Sequence, residues 1–272
     1  MMLLERILAL LTAAIVAVCL GVGLMMMAFG PSKPNGAGVL SSIMSPPALD
    51  KGAARQAIET LIAAAPDYAR YFARMRETFT SDYEAALNEF STRLSETKQE
   101  QSVDYYLSEA VRRLRQSRGV LAAKAEPEQM SNVFARQLEV LQAVAQEDKK
   151  MCVAFLYGAT NLDFQHFAST RRALVTDMAL AGLEAMVNGQ AKKIDREQPT
   201  EADFKLLETA LADRGLDKVE IDALLDGKMP NPPLEDAKMC GAGQTYLEVL
   251  RTLPEPARMR IYGLALELMA RS

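Results

Sequence analysis

Apolar side chains recur every three or four residues throughout residues 48–272, the spacing that places them on one face of an α-helix. Tyr68, Phe72, Met75 and Phe79 form one such face. The sequence has no convincing run in which apolar and polar residues alternate, the pattern typical of strands. The pattern therefore predicts an all-α body of about ten helices, packed as a multi-helix bundle or an irregular helical array.

Residues with known positional preferences indicate where these helices begin and end. Pro66 suits a first helical turn because it lacks an N–H group, and Gly215 suits a helix end. The charged run around Asp148 indicates either a helix break or a solvent-exposed edge. The predicted N-caps are polar residues that precede apolar faces: Asp50, Ser81 with Glu84 in a capping box, Ser102, Ser169 and Thr200.

A different pattern occupies residues 7–29, which are almost entirely apolar and carry no charge. As a helix this run would span ~34 Å, enough for the ~30 Å hydrocarbon layer of a bilayer. A cleaved signal peptide is the alternative, but its apolar region is usually shorter, and Pro31 would hinder cleavage after Gly30. We therefore expect an uncleaved transmembrane helix that anchors the chain in the lipid bilayer. Ala13, Ala17 and Gly21 recur every four residues and suggest a homodimer face, although alanine is common enough here for chance.

Glycine and proline are concentrated in residues 30–47, immediately after the apolar run. This composition predicts a flexible linker, with a loop packed on the body as the alternative. The predicted organisation is a membrane anchor over residues 1–29, a linker over 30–47 and a helical domain over 48–272.

The charge of the chain bears on its partners and its location. Its 31 Lys and Arg against 35 Asp and Glu argue against a nucleic-acid partner. Arg6 before the span and Lys33 after it leave the positive-inside comparison nearly balanced. No asparagine begins a glycosylation acceptor, which fits bacteria somewhat better. We expect a single-pass protein of a bacterial inner membrane with its C-terminal domain in the periplasm, the alternative being a cytoplasmic domain.

The cysteines favour the exported orientation. Cys19 lies within the predicted span, which leaves Cys152 and Cys240 as the only pair in the body. Both lie on apolar helix faces, and Gly243 beside Cys240 permits the close approach of a second helix. We therefore predict a Cys152–Cys240 disulfide, with two buried free thiols as the alternative.

Candidate chemistry is sparse. His166 is the only histidine, and Asp163, His166 and Ser169 are spaced like a triad, but nucleophilic triads normally combine separated segments. The sequence contains no common metal-binding or phosphate-binding motif. We assign no catalytic, cofactor-binding or metal-binding residue. The densest basic cluster, Arg112, Arg113, Arg115 and Arg118, is interpreted as a solvated helix face, with an anion-binding surface as the alternative.

These features together lead to a functional expectation. We expect a membrane-anchored, exported helical module that is not catalytic and that binds or scaffolds another component of the cell envelope, with a protein as the expected partner. One alternative is a helical domain that binds or senses a small ligand. The other is an envelope enzyme that uses carboxylates, for which His166 is the only individual residue to nominate.

Overall fold

The computed structural model describes residues 50–159, 161–226 and 230–271, and over these residues it contains twelve α-helices, one 3₁₀ helix and no strand. The prediction of an all-helical body is confirmed. None of the helices in this part of the chain is long and apolar enough to cross a membrane. The predicted anchor over residues 7–29, its face of Ala13, Ala17 and Gly21, and the linker over residues 30–47 lie outside the described residues.

The helices follow one another with short connections. In chain order they are α1 (Lys51–Ala63), α2 (Pro66–Thr78), α3 (Thr80–Thr97), α4 (Val103–Arg118), the 3₁₀ helix (Gly119–Lys124), α5 (Pro127–Glu147), α6 (Lys149–Leu156), α7 (Leu162–Thr170), α8 (Arg172–Lys192), α9 (Glu201–Asp213), α10 (Lys218–Asp226), α11 (Asp236–Thr252) and α12 (Glu255–Arg271).

Several of the predicted helix ends are confirmed, although Asp50 at the N-cap position of α1 makes no side-chain capping hydrogen bond. Pro66 opens α2, and the Ser102 hydroxyl accepts a hydrogen bond from the Tyr105 N–H. Thr200 forms a reciprocal capping box with Asp203 at the start of α9. Asp148 ends α5 and caps α6, because its carboxylate accepts from the Met151 N–H at 2.6 Å.

The predicted capping box of Ser81 and Glu84 is wrong. α3 begins at Thr80, before Ser81, and is separated from α2 by Phe79 alone. The backbone turns between the two helices without a capping side chain. The Glu84 carboxylate instead accepts from the Arg55 guanidinium of α1 at 2.7 and 3.1 Å, so a contact between helices replaces the local one.

The hydrophobic core is continuous from Ala54 in α1 to Leu266 in α12. The 3₁₀ helix lies at a junction within it, because it contacts α4, α8 and α12. Gly189 makes the contact with α8 close. A Cβ atom at this position would lie 1.8 Å from the carbonyl oxygen of Leu121. The chain that follows α8 also contacts the 3₁₀ helix, because the Ile194 N–H donates to the Lys124 carbonyl at 3.1 Å.

Two buried carboxylates also join distant helices. Asp203 at the start of α9 accepts from the Arg260 guanidinium of α12 at 2.6 and 2.8 Å. This ion pair, together with the Thr200 hydrogen bonds, holds the pKa of the Asp203 carboxyl well below its usual range. Asp104 of α4 accepts from the Tyr68 hydroxyl at 2.7 Å and from Arg172 at 3.3 Å. Both carboxylates are therefore neutralised where they are buried.

The Gly189 contact leads to a prediction on stability. Gly189→Ala is expected to lower the free energy of unfolding by about 3 kcal/mol or more, because the methyl group meets main chain that cannot rotate away. Gly182→Ala in the same helix is the matched control, since a Cβ there meets nothing within 4 Å. It is expected to raise stability by up to about 1 kcal/mol. Urea denaturation measures both, and equal effects of the two substitutions would contradict the packing argument.

Candidate functional site

The structure brings Cys152 of α6 and Cys240 of α11 together in a disulfide, with Cα atoms 5.7 Å apart. Both residues are completely buried. A Cβ at Gly243 would lie 2.6 Å from a methyl group of Leu156, so this glycine allows α11 to approach α6 closely. The geometry that the predicted bridge requires is therefore present.

The side chains that the sequence suggested as a triad are not hydrogen-bonded to one another in the described structure. Asp163 and His166 are exposed on α7. The Ser169 hydroxyl donates to the main-chain carbonyl of His166 at 2.7 Å, not to its imidazole. Ser169 also lies inside α7, and the expected N-cap role is wrong because Arg171 holds the N-cap position of α8.

Most of the basic cluster on α4 is neutralised by carboxylates. Arg112 and Arg113 both donate to Glu109, and Arg118 donates to Asp82 at 3.0 Å. Arg115 is the exception, because its Nε atom is buried and unpartnered among the described residues. Burial also lowers the pKa of Arg115. The ion pairs favour a structural role for this helix face over binding of an anionic surface.

A cleft of about 350 Å³ lies where the middle of α5 meets the turn between α11 and α12. We call it the α5–α12 cleft. Three lining residues come from α5, one from the end of α11 and two from α12. These residues are Ser131, Asn132, Ala135, Arg251, Arg258 and Tyr262.

The turn between α11 and α12 positions the two arginines of the cleft. Leu253 is buried in an extended conformation, and Pro254 cannot extend the hydrogen-bond ladder of α11, so that helix ends at Thr252. The Arg258 guanidinium spans the turn from α12, where Nη1 donates to the carbonyls of Arg251 at 3.0 Å and Leu253 at 3.4 Å. Arg258 thus satisfies main-chain acceptors at the end of α11 and lines the cleft as well.

Tyr262 lies one helical turn after Arg258 and is 0% exposed. Its ring stacks on Phe134 of α5, with centroids 3.9 Å apart. Its hydroxyl oxygen is buried and has no hydrogen-bond partner in the part of the chain that the structure describes. Burial raises the pKa of the Tyr262 hydroxyl, and the positive charges of Arg258 and Arg251 oppose that effect. The hydroxyl is therefore a desolvated group near two cations.

The charge of the cleft is positive. Among the described residues Arg251 is exposed and makes no ion pair. The Arg258 Nη2 atom lies 3.8 Å from a carboxylate oxygen of Glu255, whose side chain is 65% exposed, so water weakens that attraction. The Nε atom of Arg258 is buried without a partner among the residues described here. No carboxylate belongs to the described lining of the cleft.

A second groove, of about 610 Å³, lies between α5 and α8 and shares Asn132 with the α5–α12 cleft. It is mildly acidic, because Glu128 and Glu184 line it. Glu184 is already paired with Arg74 of α2 at 2.6 and 2.9 Å. The side-chain oxygen of Gln129 is buried there without a partner in the described chain. The α5 surface therefore offers two neighbouring recesses of unlike charge.

Sequence reasoning did not identify the residues of the α5–α12 cleft. Asn132 and Arg251 are more than a hundred residues apart, and none of the lining residues belongs to a recognisable motif. The only local signal is the four-residue spacing of Arg258 and Tyr262, which places both on one helix face but is common in helical proteins.

Comparisons with protein-family models, with curated proteins and with solved structures found no match for this chain. In the described residues, no group of three or more His, Cys, Asp and Glu side chains is arranged to hold a metal ion. Function is therefore inferred from the cleft and the disulfide themselves.

The disulfide leads to a prediction on stability and thiol content. Closing a loop with a sequence separation of 88 residues is expected to contribute up to ~4.6 kcal/mol by the chain-entropy argument. Replacing both Cys152 and Cys240 by alanine should therefore lower the urea midpoint markedly, whereas Cys19→Ala should leave it unchanged. Labelling of the unfolded, unreduced wild-type chain should modify Cys19 alone, and labelling of all three cysteines would refute the bridge.

The unpartnered hydroxyl leads to a second prediction. Tyr262→Phe should raise the free energy of unfolding by about 1 kcal/mol, because it removes a buried unsatisfied group and keeps the ring stacked on Phe134. Tyr68→Phe is the matched control, since that hydroxyl donates to Asp104 and its loss should cost about 1–3 kcal/mol. Urea denaturation of the two variants measures the difference. A loss of stability in Tyr262→Phe as large as in Tyr68→Phe would show that its hydroxyl is satisfied.

Proposed function

We propose that the chain is a membrane-anchored, exported helical module whose role is binding rather than catalysis. In this proposal, residues 7–29 hold the chain in a bacterial inner membrane and the helical body lies in the periplasm. There it binds or scaffolds another component of the envelope, a protein partner being the expected class.

The observation that carries this proposal is the buried pairing of Cys152 with Cys240. Disulfides persist in oxidising compartments and are rare where cellular thiols keep cysteines reduced. The long uncharged run over residues 7–29 supports the anchor, because it is long enough to span the hydrocarbon layer of a bilayer. The α5–α12 cleft supports binding, because desolvated donors at a recess favour a ligand that satisfies them.

A second candidate function is favoured by the same cleft. A helical domain that binds or senses a small ligand would use the Tyr262 hydroxyl and the Arg258 Nε atom, two of the five buried side-chain atoms left unpartnered in the described structure. Native mass spectrometry of the purified full chain measures this directly. A stoichiometric extra mass that disappears on denaturation supports the ligand-binding function, and a bare mass favours the protein-binding role.

Membrane topology is tested with alkaline phosphatase, which folds only after export, fused after residue 272. We expect high phosphatase activity in the membrane fraction from the full chain, and none from a matched fusion that lacks residues 1–29. A fluorescent protein fused at the same position should stay dark if the body is exported through the general secretion pathway. An inactive phosphatase together with a bright fluorescent fusion would place the body in the cytoplasm and refute the proposal.

A further inference from the structure

We propose that the α5–α12 cleft binds the oxyanion of a ligand, the shared chemistry of phosphate and carboxylate groups. The inference deepens the binding role proposed above, but it does not depend on membrane orientation. It rests on hydrogen-bond donors and positive charges in the cleft that are only partly paired by contacts within the described fold.

The polar groups that line the cleft are predominantly donors. Arg251 and Arg258 contribute guanidinium groups, which donate and never accept. The Ser131 hydroxyl and the Asn132 amide can each donate, and so can the Tyr262 hydroxyl. Anionic oxygens are the matching acceptors, and hydrogen bonds between charged partners are about twice as strong as neutral ones.

The structural roles of these residues leave their donors only partly used. Arg258 engages two main-chain carbonyls through Nη1, but its buried Nε atom has no partner among the described residues. Tyr262 packs through its ring, and Phe would serve equally well for the stacking on Phe134. The end of α11 at Thr252 does not depend on the charge of Arg251. Helix capping and core packing therefore do not explain why the Arg258 Nε–H, the Tyr262 hydroxyl and the Arg251 charge, all without a partner in the described structure, line the same cleft.

Desolvation makes this arrangement effective for an anion. Tyr262 is 0% exposed and its hydroxyl oxygen is buried, so water does not compete strongly for its proton. A buried donor beside two cations interacts with an anion more strongly than it would in bulk water. The stack on Phe134 fixes the ring, so little conformational freedom is lost when the hydroxyl donates.

The volume of the cleft limits the bound group. About 350 Å³ is at the small end of ligand sites, sufficient for a phosphate or a small carboxylate with its nearest atoms. The neighbouring groove of about 610 Å³ shares Asn132 and is lined by Glu128 and Glu184, so an uncharged or cationic remainder of a larger ligand would extend between α5 and α8.

The test titrates the full chain, purified in a non-ionic detergent, with inorganic phosphate and separately with citrate at constant ionic strength in chloride. We expect saturable binding of at least one anion by calorimetry, and the tighter of the two identifies phosphate or carboxylate as the natural group. Arg251→Gln should raise the Kd about tenfold through loss of a charge-assisted hydrogen bond, and Tyr262→Phe should raise the Kd about fivefold. Arg76→Gln, which removes an exposed charge that forms no ion pair among the described residues, should leave the Kd unchanged.

Three results would overturn the inference. The first is the lack of saturable binding of either anion at concentrations up to ~10 mM. The second is equal weakening by Arg76→Gln and Arg251→Gln, which would indicate attraction to net charge alone. The third is unchanged binding in Tyr262→Phe and Arg251→Gln, which would place the anion elsewhere. Phosphatase activity of the topology fusion is independent of each result, so the two proposals can fail separately.

Discussion

The contact between Gly189 and the main chain of Leu121 is the constraint on which the arrangement of the helices most depends. It lets α8 lie directly against the 3₁₀ helix, and the 3₁₀ helix in turn contacts α4 and α12. The Arg196 guanidinium strengthens the same junction, because it donates to the main-chain carbonyls of Ala123 and Ala125. The N-terminal helices are thereby held to the C-terminal pair, and α12 is placed where it can meet α5.

Two residues that line the α5–α12 cleft also make contacts that stabilise the fold. Arg258 satisfies carbonyls at the end of α11, and the Tyr262 ring stacks on Phe134. The same contacts restrict the positions of the unused Arg258 Nε atom and of the Tyr262 hydroxyl oxygen. Movement of either donor would disturb the capping of α11 or the packing of α12.

Other buried polar groups show what a complete network looks like in this protein. Asp203 is paired with Arg260, and Asp104 accepts from both Tyr68 and Arg172. Five buried side-chain atoms lack a partner in the described chain, and three of them belong to residues that line the two neighbouring recesses along α5, namely Gln129, Arg258 and Tyr262. The other two, on Gln137 and Arg115, lie outside those recesses. Incomplete pairing is thus concentrated beside the surface that we propose for binding.

The sequence by itself determined the helical class and many of the helix ends, because these depend on interactions within a few residues. The spacing of Tyr68, Phe72 and Met75 predicts a buried helix face, and Ser102 and Thr200 cap their own helices. Local reasoning failed at Ser81 and Ser169, because each lies inside a helix and the N-cap positions are held by Phe79 and Arg171, whose side chains make no capping hydrogen bond.

Only the tertiary structure decided which distant side chains meet. The cysteine pairing could be proposed from the sequence because two body cysteines allow a single pair, but their 5.7 Å Cα separation depends on the packing of α6 against α11. The α5–α12 cleft had no comparable signal. Its residues acquire a joint role only when α12 packs on α5, because burial and the loss of hydrogen-bond partners are properties of assembled helices and not of any one segment.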